Sequence, residues 1–300
     1  MSSPHRSMQA RTSAQNRPVA VVTGVSSGIG FDIAQHLGSI GYFVFGSVRT
    51  ARAAEEVTAQ MPPHFRALLF DVTDRSAVSR SASVVDEHLE GRRLSALVNN
   101  AGIVEPGPLQ LLEEERFDRA IAVNLMGTRN VINTFLPLLG AVGGEARTGG
   151  PATIVNISSL SGVINTPING AYCVSKHAQE SLGEVYRREL SQFGIRVVSI
   201  QPGPIESRLW DKNIGSMERF RSSSYGPMTD RVNEVMRRAQ EGALPASAVS
   251  QCVERALKSH RPQNSYIVAK NRVRAWLLAH WTPARWMDRI LSKRLSGGPG

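Results

Sequence analysis

Residues 19–30 read Val-Ala-Val-Val-Thr-Gly-Val-Ser-Ser-Gly-Ile-Gly, an apolar β-branched run that ends in a glycine-rich turn. Val19–Val22 has the composition of a short buried strand. After the turn, Ile29, Ile33 and Leu37 recur on one face of a helical pattern that Gly41 stops. Glycine in this turn keeps it tight and lets the backbone approach a diphosphate at the helix N-terminus. Glycines alone are common in turns. The place of this one, between strand and amphipathic helix, makes Gly24, Ser26, Ser27, Gly28, Ile29 and Gly30 a candidate dinucleotide loop.

Outward from this loop the same pattern repeats. Apolar runs fall at Tyr42–Val48, Ala67–Phe70, Leu94–Val98, Thr153–Ile157, Ile195–Ile200 and Tyr266–Ala269, with helix-length segments between them. Buried runs without alternation, each followed by a helix, predict an α/β fold: a doubly wound parallel sheet of about seven strands with helices on both faces. The pattern is continuous from about 18 to 271, and no repeat at solenoid spacing interrupts it. Gly140–Pro151 reads as a glycine-rich loop, and 204–245 as a long segment without clean strand or helix spacing, expected to form a substrate lid. Beyond it, 272–300 reads as a basic, amphipathic helical extension that Pro283 divides in two.

Composition narrows the function classes. The chain has 300 residues, 41% hydrophobic and 20% charged, as in an ordinary globular protein. No apolar run reaches the ~18–20 residues that cross a bilayer. Two cysteines, Cys173 and Cys252, cannot make a disulfide scaffold and point to a reducing, cytoplasmic setting. The net charge of +10 sits at the two ends. Residues 1–17 carry Arg6, Arg11 and Arg17 with no acid, and 261–300 carry eight Lys or Arg against Asp288 alone. The 24 basic and 24 acidic residues between them cancel. The first 17 residues have no apolar segment and so do not read as a secretory signal; they read as a disordered tail, with organelle targeting as the minority reading. No nucleic-acid recognition motif accompanies the basic ends. The Trp-, Leu- and Arg-rich stretch 272–296 suits an anionic membrane surface, the mouth of a lipophilic pocket, or packing on the protein itself.

Two further patterns carry chemistry. The second strand ends in Ser47-Val48-Arg49, where sheets selective for NAD place an acid against the ribose 2′-hydroxyl. A guanidinium there can bind a 2′-phosphate, so Arg49 favours NADP(H) over NAD(H). Tyr172 and Lys176 stand at i and i+4, neighbours on one helical face. A fixed cation beside a phenol stabilises its anion, so Lys176 is expected to lower the Tyr172 pKa toward neutrality.

With these residues in place the chain resembles the short-chain dehydrogenase/reductase family. The resemblance rests on Thr23-Gly-Val-Ser-Ser-Gly-Ile-Gly30, Asp71-Val72, Asn99-Asn-Ala-Gly102, Asn124, Ile157-Ser-Ser159, Tyr172-x-x-x-Lys176 and Pro202-Gly203, in family order and spacing. It looks loosely like the steroid and retinol dehydrogenase-type members. It implies a Rossmann-type fold and a hydride transfer between NADP(H) and an alcohol or carbonyl. It places Asp71 on the adenine amino group and Val72 beside the ring, and gives Asn99 to Gly102, with Asn99, Ala101 and Gly102 as cofactor residues, the double task of stabilising the sheet and lining the cofactor ribose. Lys176 would also contact the nicotinamide ribose, and Pro202, Gly203, Ile205 and Ser207 would complete the cofactor site; Ser207 stands where a threonine is usual. The family serine precedes the tyrosine by thirteen residues, which selects Ser159. Asn124 would hold a water in the proton relay. Ser159 and Tyr172 would bond the substrate oxygen, with Tyr172 as general acid or base. No metal enters this chemistry.

The substrate end is less defined. Leu209, Trp210, Ile214, Met217 and Phe220 offer an apolar wall for a lipophilic alcohol or carbonyl, or else pack the lid onto the core. Helical segments around 113–139 and 171–193 would build a homodimer or homotetramer. Two other readings compete with the enzyme: a dinucleotide-binding sensor or scaffold of the same fold, and a nucleic-acid binder using the basic ends. The intact set Asn124, Ser159, Tyr172 and Lys176 favours the enzyme, because a sensor needs no proton relay.

Overall fold

A computed structural model describes residues 17–141, 147–206 and 215–295. Seven parallel strands form one sheet in the order β3-β2-β1-β4-β5-β6-β7. They are β1 (Val19–Val22), β2 (Phe43–Val48), β3 (Phe65–Leu69), β4 (Ala96–Asn99), β5 (Thr153–Ile157), β6 (Arg196–Pro202) and β7 (Ser265–Val268). After β3 the chain returns to the other side of β1, so the carboxyl ends of β1 and β4 open a crevice at the point of reversal. Ligands of open α/β sheets bind at such a point.

Strand side chains alternate between two cores. Val19, Val21, Leu97 and Ile154 face one side, under α3 (Arg75–Leu89), α5 (Thr128–Phe135) and α6 (Gly170–Leu190). Ala20, Val22, Val98 and Val155 face the other, under α1 (Gly28–Ser39) and α8 (Ser247–Lys258). The first core is filled by Val78, Val85, Val131 and Phe135, the second by Ile33, Leu37, Val249 and Val253, all fully buried. Both faces being covered is why the strands read as apolar runs without alternation. Remaining helices are α2 (Ala51–Thr58), α4 (Glu114–Ile121), α7 (Gly226–Glu241), α9 (Arg272–Trp281) and α10 (Ala284–Leu295). A π-helical turn, Ala122–Gly127, joins α4 to α5.

The structure departs from the sequence reading in places. Strand β4 starts at Ala96 rather than Leu94, because the Leu94 N–H is taken by the Leu138 carbonyl outside the sheet. Within 204–245, expected to lack regular spacing, the sixteen-residue helix α7 forms. Val232, Val235, Met236 and Ala239 make a helical stripe there, but it is short and set among arginines and glutamates. Only Gly226 and Thr229 of α7 are buried, so the stripe is not a core-facing one. Residues 142–146 of the predicted Gly140–Pro151 loop and the tail before Arg17 lie outside the described residues.

The extension is helical as predicted, broken at Pro283 between α9 and α10. Helix α9 packs on β7 and has no buried residue, while α10 packs on α7. No helix among the described residues is long and apolar enough to cross a membrane.

Candidate active site

The glycine loop is fixed by the strand beside it. Thr23 Oγ1 accepts the N–H groups of Asn100 and Ala101 at 2.9 and 3.0 Å. The Asn100 amide donates to the carbonyls of Thr23 and Gly24 at 2.9 and 3.0 Å. Gly24 sits at φ +70°, and a Cβ there would come within 2.9 Å of Ala101 Cα. A Cβ at Gly30 would collide with the Asn100 amide and the Gly24 carbonyl. These two positions require glycine, one for conformation and close approach, the other for space. Helix α1 then starts with Ser27 at its N-cap making no side-chain bond and with no acid in its first turn. Its first N–H groups have no intrahelical acceptor and lie at a positive helix end.

A cavity of about 270 Å³ opens above this loop, lined by Gly24, Ser26, Ser27, Gly28, Ile29 and Gly30 at one end and by Tyr172 and Lys176 at the other. Arg49, Asp71, Val72, Ala101 and Gly102 lie between. Arg49 is exposed and forms no ion pair among the described residues. Asp71 keeps one carboxylate oxygen on the Thr73 N–H and hydroxyl, at 2.9 and 2.7 Å. A glycine cradle with open N–H groups and an unpaired guanidinium at the second strand's end fits a dinucleotide phosphate.

Not every expected cofactor residue reaches this cavity. Asn99 is turned into the sheet, where its amide donates to Asn156 Oδ1 at 2.9 Å; its neighbour Asn100 lines the cavity. The strand register sets Asn99 opposite Asn156, which gives its amide a partner inside the sheet, although Asn99 Oδ1 and Asn156 Nδ2 have none among the described residues. Pro202, Gly203 and Ile205 line a second cavity. Ser207 and Trp210, with Leu209 and Ile214, lie outside the described residues.

The first two turns of α6 carry Tyr172 and Lys176. Ser159, just after β5, faces the same second cavity as Tyr172, and its Oγ accepts the Ser161 N–H at 3.0 Å. Lys176 is buried, and its ammonium donates to the Ile157 carbonyl and Gln179 Oε1, both at 2.9 Å. Gln179 passes the connection on: its amide donates to Thr128 Oγ1 at 2.8 Å, which donates to the Asn124 carbonyl at 2.8 Å. The Asn124 side chain is itself committed, accepting the Ile103 N–H at 2.8 Å and donating to the Ile103 carbonyl and Ser175 Oγ at 2.9 Å. Thr128, Ser175 and Gln179 carried no motif in the sequence. Their roles come from buried side chains on two helices, Thr128 on α5 and Ser175 and Gln179 on α6, meeting behind Lys176.

This geometry corrects one expectation. Burial pushes the Tyr172 phenol up to about 12, against a smaller lowering by Ser159. Lys176 does not offset it, because its ammonium lies 5.8 Å from the ring centroid and is spent on Ile157 and Gln179. Burial also draws Lys176 down to about 8, with Glu180 opposing. The protein's own groups therefore hold the phenol protonated through the neutral range.

The second cavity, about 320 Å³, meets the first at Tyr172, Ser158, Ile29 and Val104. Ser159 lies on its wall. Among its described lining residues there is no Asp, Glu, Lys, Arg or His. Met217 lines it as expected. Phe220 packs on Gly107 instead, and Arg219 pairs with Glu113 at 3.1 Å. Leu291 of α10 also reaches the cavity, a residue the sequence reading did not single out as a site residue.

The family model described as short chain dehydrogenase matches residues 18–217. A protein named NADPH-dependent 3-dehydrocapnine reductase from Ornithobacterium rhinotracheale is 34% identical over 92% of this chain and 96% of its own length. Retinol dehydrogenase 16 of Mus musculus is 29% identical over 90% of this chain and 86% of its own. The crystal structure of a short-chain dehydrogenase from Streptomyces avermitilis superposes with a TM-score of 0.72 at 24% identity, covering 95% of this chain and 99% of that one.

Proposed function

The chain belongs to the short chain dehydrogenase family of dinucleotide-dependent oxidoreductases, and we propose that it uses NADP(H) to reduce the carbonyl of a lipophilic substrate, with Tyr172 as general acid. The observation that carries this reading is the meeting of two cavities at Tyr172, one built as a dinucleotide cradle and one apolar and uncharged.

A nicotinamide held beside Tyr172 and Lys176 in the first cavity would supply hydride to the carbonyl carbon. The chain's own residues do the rest. Ser159 and Tyr172 both offer a hydroxyl to the carbonyl oxygen, where negative charge develops. A phenol kept protonated at neutral pH is the form that donates to it. Lys176, held by Ile157 and Gln179, stands behind Tyr172 as the source that restores its proton. With the Asn124 amide committed to Ile103 and Ser175, a relay water falls to the second lone pair of its carbonyl, whose first accepts the Thr128 hydroxyl. Oxidation of an alcohol is the same path reversed.

Cofactor choice is assigned to Arg49, in line with the NADPH dependence in the name of the O. rhinotracheale relative. Arg49→Glu is expected to raise the KM for NADPH about 10- to 100-fold, the worth of a charge-assisted hydrogen bond, and to change that for NADH little. Steady-state kinetics with each nucleotide checks this; a wild-type protein that uses NADH as well as NADPH contradicts it.

The same reading covers the partners. Trp276, Trp281 and Trp286 are exposed on an extension with six Lys or Arg between 272 and 296, which suits the surface of an anionic membrane. The protein is expected to sediment with phosphatidylglycerol vesicles at low salt and not with phosphatidylcholine vesicles; equal recovery in both supernatants ends this assignment. Met126, Val174 and Val185 are exposed apolar side chains on the segments read as a homo-oligomer interface.

A further inference from the structure

The floor of the second cavity, with Ser159 and Tyr172, is held by β5 and α6. Its opposite wall is built differently. Val232, Val235, Met236 and Ala239 of α7 form one part, and Leu291 of α10 closes it from outside. Helix α10 is two-sided. Met287, Ile290 and Leu291 are half-buried at i, i+3 and i+4, while Trp286, Arg289 and Lys293 are exposed on another face. The inner stripe rests on α7.

Two observations say where a ligand would extend. Val235 lines the cavity and is also 38% exposed, so the apolar lining runs out to the surface beside α10. Its described lining residues also include no charged side chain that could pair an ionised group. A compact ketone would occupy the floor and leave this path unused. A substrate with an unbranched apolar tail would lay it along Val232, Val235 and Met236, against Leu291.

We propose that α10 is a wall of the substrate cavity, that Leu291 determines specificity from it, and that the substrates it selects are carbonyl compounds carrying an apolar chain that leaves through the α7–α10 seam. This rests on the carbonyl-reductase reading above and adds the substrate class. The wall is also easily displaced. Helix α10 follows a break at Pro283, α9 before it has no buried residue, and α10 is held to the body by its half-buried stripe.

The test is a series of straight-chain methyl ketones from butanone to tetradecanone with NADPH. The readout is the ratio of kcat/KM for the longest to the shortest ketone. In the wild type each buried methylene adds roughly fourfold until the tail reaches solvent, so the ratio rises and then levels. Leu291→Trp, which fills the seam, is expected to cut the ratio about tenfold or more. Asp288→Asn, exposed on the same helix, leaves the ratio within about twofold. A wild type that reduces butanone as well as tetradecanone, or a Leu291→Trp ratio equal to wild type, overturns the inference while the reductase reading stands. Should no ketone be reduced with either nucleotide, the reductase reading fails. Thermal shifts with the matching straight-chain alcohols then decide this inference: stabilisation that grows with chain length and is lost in Leu291→Trp supports it, and a flat series overturns it.

Discussion

Replacing Tyr172 by Phe is expected to lower kcat about 10³-fold or more, while NADPH still binds within a few-fold of wild type. The substitution removes the proton donor and one of two hydroxyls aimed at the carbonyl oxygen. It leaves the glycine cradle, Asp71 and Arg49 untouched. The ring stays, so the wall shared by the two cavities keeps its shape. The hydroxyl that is lost faces the cavities, and Ser159 keeps the Ser161 N–H as a partner, so folding is little affected. Steady-state turnover together with quenching on NADPH titration separates the two effects. Turnover within tenfold of wild type contradicts the assigned role.

The second large effect belongs to Lys176. Lys176→Met is expected to lower kcat about 10²-fold, through loss of the cation behind the phenol. It also has a stability signature with a definite sign. The folded protein holds this lysine at about 8, below its ordinary 10.5, because burial disfavours the ammonium. Between those values the unfolded chain binds the proton more strongly, so this group makes stability rise with pH through that window. Below it the folded protein carries the full cost of a buried charge. From pH about 7.5 to about 9.5, wild type is expected to gain about 2 kcal/mol relative to Lys176→Met in urea unfolding. A difference that does not move with pH means that Lys176 is not held in this way.

Much of the fold was legible because the physics behind it is local. Val19–Val22 and Thr153–Ile157 are buried on both faces, and their strands fall where their apolar runs do. The glycine loop was readable because Gly24 and Gly30 are constrained by the backbone beside them. Residues identified through another strand were harder to see. Asn99 and Asn100 are adjacent in sequence, yet one faces Asn156 inside the sheet and the other the cavity. The network behind Lys176 joins Gln179, Thr128 and Asn124 across fifty residues, with no spacing that marks it. The tyrosine–lysine pair was read correctly as neighbours on one helix. Its electrostatics were not, because spacing gives proximity and says nothing of which carbonyl holds the ammonium. Helix α7 and Leu291 escaped for a related reason: a stripe that lines a cavity is only half-buried and mimics a surface.

In the proposed reaction Tyr172 stands where hydride passes from a nicotinamide to a lipophilic carbonyl. The most direct measurement uses NADPH deuterated at nicotinamide C4 with a long-chain methyl ketone, and analyses the product alcohol by mass spectrometry. Wild type is expected to place one deuterium on the carbinol carbon, and Tyr172→Phe to give no labelled alcohol above background. Tight NADPH binding with no label transferred by wild type to any carbonyl would contradict it and leave a dinucleotide sensor in its place.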